Sequence, residues 1–347
     1  MKLPNCASAW LTDRSGLVSS CEQGTHLGSL TRGNGRRETE DWFAGRTHHW
    51  QEWTVAELVA AKKATGHSVS LVVPAHNEAA TVGQVVSRVR ETLVGTVALL
   101  DEVIVIDSDS DDDTYAVATD AGAIVHRCCD IRPDLGTHPG KGEAMWKSTF
   151  VTKGDLLVFM DADLVDWDTH FVSGLLGPLL TEPAVSMVKG FYERPYRSGN
   201  TVAAYEGGRV TELVARPLIA LLYPELAGVV QPLAGEWAIR RPLFESLPVP
   251  TGYAVELAAL IDTVRVAGTD AIAQVDLGRR THRHQALMDL GAMATQIMAA
   301  AWSRSLDRPA ADEVILRQYL SGDGVIQSRD RHAQLIERPP AKSVPSA

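Results

Sequence analysis

Apolar and polar positions change period several times along this chain, and each change marks an element. Residues 68–73, Ser-Val-Ser-Leu-Val-Val, form a β-branched run that stops at Pro74, which predicts a buried strand. After the polar turn Pro74-Ala75-His76-Asn77-Glu78, apolar residues return at Val82, Val85, Val86, Val89 and Leu93. That spacing is one face of a helix. Further strands are predicted at 102–107, 123–126 and 155–160, with helical segments between them. Strands alternating with helices imply βαβ units and a mostly parallel sheet, whose ligands gather at the carboxyl ends of the strands. The polar clusters at 74–78, 107–113 and 161–163 follow the first, second and fourth of these strands, so they are expected to converge on one edge.

Outside this core the pattern is less regular. Trp50 and Trp53 precede a short helical segment at 55–63. Helices are predicted at 209–222, entered through Gly207-Gly208, and at 286–303. Residues 1–45 read as a disordered tail, and 331–347, with Pro339, Pro340 and Pro345, as a mobile one.

Composition narrows the function classes. The 347 residues are 45% hydrophobic and 22% charged, the profile of a soluble globular protein. A net charge of −10 supplies no broad positive field, so neither nucleic acid nor a membrane surface is an expected partner. The four cysteines contain no Cys-x-x-Cys pair, which fits a reducing compartment. The most apolar later stretch, 213–232, is broken by Arg216, Pro217, Pro224 and Glu225. No membrane span or signal peptide is predicted, and a cytoplasmic location is expected.

Candidate chemistry begins at Asp161-Ala162-Asp163. In extended backbone, residues two apart face the same side, so both carboxylates can address one divalent cation. Mg²⁺ and Mn²⁺ take oxygen ligands and often bridge a diphosphate. The competing reading is a solvated acidic loop, and similar triplets occur at 107–109, 109–111 and 111–113. The 107–113 cluster fails as a calcium loop, because the sixth position from Asp107 is Asp112 rather than Gly. A nucleoside-contacting loop that caps a helix fits better. His138-Pro139-Gly140-Lys141-Gly142-Glu143 is a phosphate-approach loop or an ordinary helix entry. Gly207-Gly208-Arg209-Val210-Thr211 can hold a phosphate or carboxylate, or serve only as a flexible loop. Arg279-Arg280-Thr281-His282-Arg283-His284 is a basic run that offers a metal-ligating histidine or a solvated face. Glu256 stands in an apolar stretch and would need a partner if buried.

Together these segments resemble the actinobacterial glucosyl-3-phosphoglycerate synthases, with the mannosyl-3-phosphoglycerate synthases close by. The likeness runs from about Trp50 to about Met293. It is carried by the segments at 72–78, 107–108, 139–144, 161–164, 208–217, 231–236 and 270–275. It implies a Rossmann-like, GT-A type nucleotide-sugar transferase fold with a mostly parallel sheet and an α-rich acceptor region. Residues 46–200 would bind the nucleotide sugar; 201–330 would bind the acceptor and dimerise.

The resemblance further implies a retaining transferase using Mg²⁺ or Mn²⁺, a nucleoside-diphosphate sugar donor and a 3-phosphoglycerate acceptor, working as a homodimer. Pro74, Ala75, His76, Glu78, Ser108 and Lys141 would contact the nucleotide, with Asp161 and Asp163 beside the donor. Asp163 and His282 would hold the metal. Gly208, Arg209, Thr211, His284 and Met293 would bind the acceptor. Glu256 would touch the sugar, and the backbone carbonyl of Leu233 would assist attack. His76, Asp109 and His284 stand where the family usually has leucine, glycine and asparagine. UDP-glucose is the expected donor. GDP-mannose is the alternative, beside an inverting transferase to a lipid phosphate or polysaccharide and a non-catalytic sugar-nucleotide sensor.

Overall fold

The run that ends at Pro74 folds as a strand because both of its faces are covered. Val69, Leu71, Val73 and Ala75 enter one buried cluster, and Val72 enters the other. Alternation along a strand sends successive side chains to opposite sides, so a run apolar at nearly every position is a central strand. The computed structural model describes residues 34–193, 196–198, 201–203, 208–280, 286–306, 313–322 and 325–346.

The strands of the main sheet are β1 (Thr47–His49), β2 (Val69–Ala75), β3 (Glu102–Asp107), β4 (Ile124–Arg127), β5 (Leu156–Phe159), β6 (Met187–Glu193), β7 (Trp237–Arg240) and β8 (Ile272–Arg279). Their order across the sheet is β1-β8-β6-β7-β5-β2-β3-β4. Every neighbouring pair is parallel except the two made by β7, which runs antiparallel to both β5 and β6. The mostly parallel α/β sheet expected from the sequence is therefore present, with one reversed strand at its centre.

Helices cover both faces. On one side lie α2 (Val55–Thr65), α3 (Val82–Val89) and α6 (His170–Thr181), which bury Leu58, Val85 and Phe171. On the other lie α5 (Lys141–Ser148), α7 (Arg216–Leu222), α8 (Val255–Ala267) and α9 (Leu287–Leu306), which bury Met145, Ile219, Leu257 and Ile297. Two further helices are α1 (Asn34–Arg46) and α4 (Thr114–Asp120).

Three expectations about organisation change. Residues 34–46 form α1 rather than a disordered tail, and Trp42 Nε1 donates to the Thr269 carbonyl at 3.0 Å. Residues 1–33 lie outside the described residues. No domain boundary falls at 200, because β7 and β8 complete the same sheet as β2–β6. Residues 331–347 are not a loose tail through most of their length. Glu337–Arg338 pairs antiparallel with Val249–Pro250, and Arg338 and Ala341 are buried. Proline-rich composition suggested mobility, but the buried acid Glu143 gives Arg338 a partner. A long hairpin that the pattern did not predict, Glu313–Gly322 with Val325–Gln334, packs against α9.

Candidate active site

The first part of the site is the pair of loops after β2 and β3. Ser108 N donates to the Ala75 carbonyl at 2.8 Å, and His76 Nδ1 lies 3.0 Å from the Ser108 carbonyl. Asn77 N donates to Ser110 Oγ, and Asp111 N donates to Asn77 Oδ1, each at 2.9 Å. Glu78 N donates to Thr114 Oγ1 at 2.8 Å. Thr114 opens α4, and its N–H donates to Asp112 Oδ1 at 3.0 Å, whereas Asp113, at the N-cap position, makes no side-chain cap bond. Asp109 has φ +56°, a left-handed position that favours glycine. The loops thus place Pro74, Ala75, His76, Glu78 and Ser108 side by side at one strand edge.

The second part is a buried knot of charge at the end of β5. Lys141 Nζ lies 2.5 Å from Asp161 Oδ1 and 2.8 Å from Glu256 Oε1. The partner that a buried Glu256 required is therefore a lysine. Arg280 is 2% exposed, and its Nη2 reaches Asp161 Oδ2 at 3.2 Å and Asp163 Oδ1 at 3.1 Å. Its Nη1 reaches Glu236 Oε1 at 2.9 Å and donates to the Tyr192 hydroxyl at 2.7 Å. Tyr192 donates in turn to Glu236 Oε2 at 2.8 Å. The two aspartates face one side, and the group they meet there is the Arg280 guanidinium rather than the divalent cation expected from their spacing. The solvated reading of the 279–284 run is wrong for Arg280, although Arg279 is exposed and pairs with Glu193.

Opposed effects set the protonation states. Burial favours the neutral form of Asp161, but Lys141 and Arg280 outweigh it and hold the carboxyl below its usual range. Burial likewise opposes charge on Lys141, while Asp161 and Glu256 keep it protonated. For Glu236 burial prevails, and its carboxyl is raised despite Arg280. Lys189 of β6 is also fully buried. Its ammonium donates to the Ala234 carbonyl at 2.6 Å and lies 5.6 Å from the centre of the Trp237 ring. Burial pushes it down to about 7.

The segment before β7 is laced to β6. Gln231 Oε1 accepts from Tyr192 N at 3.3 Å, and Gly190 N donates to the Glu236 carbonyl at 2.9 Å. Leu233 sits within this segment, partly buried against the second core cluster. Gly235 allows the close approach, because a Cβ there would overlap the Asp161 carboxylate.

The remaining expected residues lie apart. Gly208 and Arg209 precede a wide helical turn, Thr211–Ala215, which packs against α9. Met293 is on α9, packed on the second core cluster. This brings the Gly208–Thr211 entry and the Met293 helix together. His282 and His284 lie outside the described residues. Sequence reasoning assigned no role to Glu236, Tyr192 or Lys189. An acid directly before the apolar run Trp237-Ala238-Ile239 was the available signal for Glu236, since such an acid needs a buried partner.

A mostly parallel sheet with one reversed strand, polar loops after β2 and β3, and a paired-carboxylate strand end match the nucleotide-sugar glycosyltransferases of the GT-A type. The Glycosyl transferase family 2 model matches residues 70–244. Glucosyl-3-phosphoglycerate synthase of Mycobacterium tuberculosis is 46% identical over 302 residues, covering 85% of this chain and 91% of the relative. The Mycolicibacterium paratuberculosis enzyme of the same name is 44% identical over 321 residues, covering 90% and 95%. The chain belongs to the glucosyl-3-phosphoglycerate synthase family.

Solved structures of the Mycobacterium tuberculosis enzyme agree in fold. Its complex with phosphoglyceric acid superposes with TM-score 0.76 at 45% identity, covering 86% of this chain and 98% of that one. Its complex with Mn²⁺ and uridine-diphosphate-glucose gives TM-score 0.74 at 45% identity, covering 84% and 95%. Among the described residues of this chain, no helix is long and apolar enough to cross a membrane.

Proposed function

We propose that this chain transfers glucose from UDP-glucose to the 2-hydroxyl of 3-phosphoglycerate with retention of configuration, in the cytoplasm and as a homodimer. The observation that carries the reading is the arrangement Lys141–Asp161–Arg280–Asp163 at the carboxyl end of β5. Relatives at 45% identity have been solved with Mn²⁺, the UDP-sugar and phosphoglyceric acid.

In this reading Pro74, Ala75, His76, Glu78 and Ser108 hold the nucleoside, and Lys141 meets the diphosphate. Asp163 suits a hard cation: its side chain is 42% exposed, and among the described residues only its Oδ1 is bonded, to Arg280. No group of three His, Cys, Asp or Glu side chains gathers among the described residues, so Asp163 needs His282 and donor oxygens to complete a metal site. Bound there, Mg²⁺ or Mn²⁺ neutralises charge on the departing diphosphate.

The acceptor is held by Gly208, Arg209 and Thr211, with His284 and Met293 beside them. Its hydroxyl oxygen bonds to the sugar C1 as the C1–diphosphate bond breaks on the same face, and the hydroxyl proton passes to the departing phosphate oxygen. The Leu233 carbonyl accepts a hydrogen bond from the attacking hydroxyl, and Glu256 holds the sugar. Asp161 is engaged by two cations, which makes it a poor nucleophile and supports a reaction without a glycosyl-enzyme intermediate. Exposed Leu287 and Trp302 on α9 and Ile315 on the hairpin support pairing of two copies there.

The test is incubation with UDP-glucose, Mg²⁺ or Mn²⁺ and 3-phosphoglycerate. UDP release with an α-linked product by proton NMR is expected. A β-linked product points to the inverting reading. UDP binding without turnover points to a sensor. No release with UDP-glucose, GDP-glucose or GDP-mannose overturns the proposal.

A further inference from the structure

Lys141 is placed by a clasp whose outer half lies almost two hundred residues away in sequence. The loop that carries it presses on the strand Val249–Pro250 and the residues that follow. Gly140 has φ +127°, and a Cβ on Gly140 or Gly142 would overlap the Thr251 or Pro250 carbonyl. Glu143 N donates to the Thr251 carbonyl at 2.9 Å. Behind that strand runs the segment 336–345. Thr251 N donates to the Ile336 carbonyl at 3.0 Å, and Trp146 Nε1 donates to the Pro339 carbonyl at 2.8 Å.

Arg338 ties these pieces together. Its guanidinium makes a fork with Glu143, at 2.8 Å to Oε2 and 2.6 Å to Oε1. The same group donates to the Leu135 carbonyl at 2.9 Å and the Gly136 carbonyl at 3.0 Å, and it lies 4.8 Å from the centre of the Trp146 ring. Glu143 is fully buried and sits two residues from Lys141. Its other cation, Lys147, stands 3.9 Å away and bonds instead to the Cys128 carbonyl and the Thr137 hydroxyl. Loss of Arg338 therefore leaves a buried acid poorly compensated and two loop carbonyls without their donor.

We propose that the segment 336–345 is a strut for the lysine loop, and that Arg338 is a positioning residue for donor binding, acting through Lys141. The inference rests on the reading of Lys141 as a donor-diphosphate contact. Arg338 bonds to the loop on both sides of the lysine's approach and not to the lysine itself. Its removal shifts where the ammonium sits without removing that charge.

The test compares Arg338→Gln, Lys141→Ala and the double variant in the full chain. Kinetics in both substrates are measured alongside calorimetric binding of UDP with Mn²⁺. Arg338→Gln should raise the donor KM and the UDP Kd about tenfold while the 3-phosphoglycerate KM stays within about twofold. In the Lys141→Ala background it should add almost nothing, since both changes act on one contact. Loss of thermal stability with unchanged donor KM in the folded enzyme overturns the strut. So do effects that multiply independently with Lys141→Ala. If the glutamine variant does not fold, Arg338→Lys keeps the charge but loses the fork, and it should show a smaller rise of the same kind; an unchanged donor KM there overturns the proposal. A wild-type chain that binds no UDP refutes the donor-site reading itself, whereas UDP binding that Arg338→Gln leaves intact refutes only the strut.

Discussion

The two halves of the candidate site are held together by different means. The edge proposed for the nucleotide is short-range: loops at 74–79 and 108–114 bond to each other through backbone groups and small polar side chains, and His76, Asn77 and Asp109 face solvent. The charge knot draws Lys141, Asp161, Glu236, Glu256 and Arg280 from five separate segments into a largely buried cluster. An exposed edge tolerates change, because water replaces a lost partner. A buried knot does not, because removal of one charge leaves its neighbours uncompensated.

The largest effect should come from Arg280→Met. Arg280 is the common partner of Asp161, Asp163 and Glu236, and it is 2% exposed. Breaking a buried ion pair in this way costs on the order of 3–5 kcal/mol. Thermal denaturation should show a large loss of stability together with lost turnover. A variant that melts near wild type would show that the knot is not what holds this end of the sheet.

Asp163→Ala sharpens the contrast from within the same cluster. Its side chain is 42% exposed, so removal should abolish metal-dependent turnover while the melting temperature stays close to wild type. Stripping divalent metal with a chelator should reproduce the same loss in the unaltered chain. Near-normal turnover in the variant would place the metal elsewhere.

Arg209→Ala reaches the acceptor side. Loss of one charge-assisted contact is worth about 2 kcal/mol, read as a raised 3-phosphoglycerate KM. An unchanged acceptor KM with a raised donor KM would reverse the assignment of the Gly208–Thr211 entry.

The same contrast explains what could be read without coordinates. The β2 and β3 ends and their loops follow from local pattern: apolar runs closed by Pro74 and Asp107, then polar turns and a helical period. Asp161 and Asp163 were legible as a pair, since strand geometry alone puts them on one side. What they face was not. Arg280 sits in a run of basic residues that looks solvated, and only β8, passing beside β6, carries it inside. Lys189 lies in a strand whose neighbours come from residues 237–240 and 272–279, pairings that no local period encodes. The segment 336–345 failed for a related reason. Its prolines describe the free chain, and its order depends on Glu143, a partner nearly two hundred residues upstream.

Lys189 gives the most direct probe of burial. Its amine is pushed down from 10.5 to about 7 by desolvation, although Glu256, Glu236 and Asp161 favour the charge and only Lys141 joins burial against it. Between those values the folded chain holds fewer protons at this site than the unfolded chain does. Unfolding then takes up a proton, so stability rises with pH across the window, by at most about 1.4 kcal/mol per unit. Below about 7 the ammonium is charged in both states and the slope disappears. Above 9 the Cys128 thiol, raised by burial to about 12, pulls the other way, because there the folded chain retains a proton that the unfolded chain releases. The useful range is therefore about 7 to 9. Denaturant unfolding across it should show a positive slope in the wild-type chain that Lys189→Met lacks. An equal slope in the two proteins would mean that Lys189 reaches water, and the buried side of the comparison would then end at Arg280 rather than extend to β6.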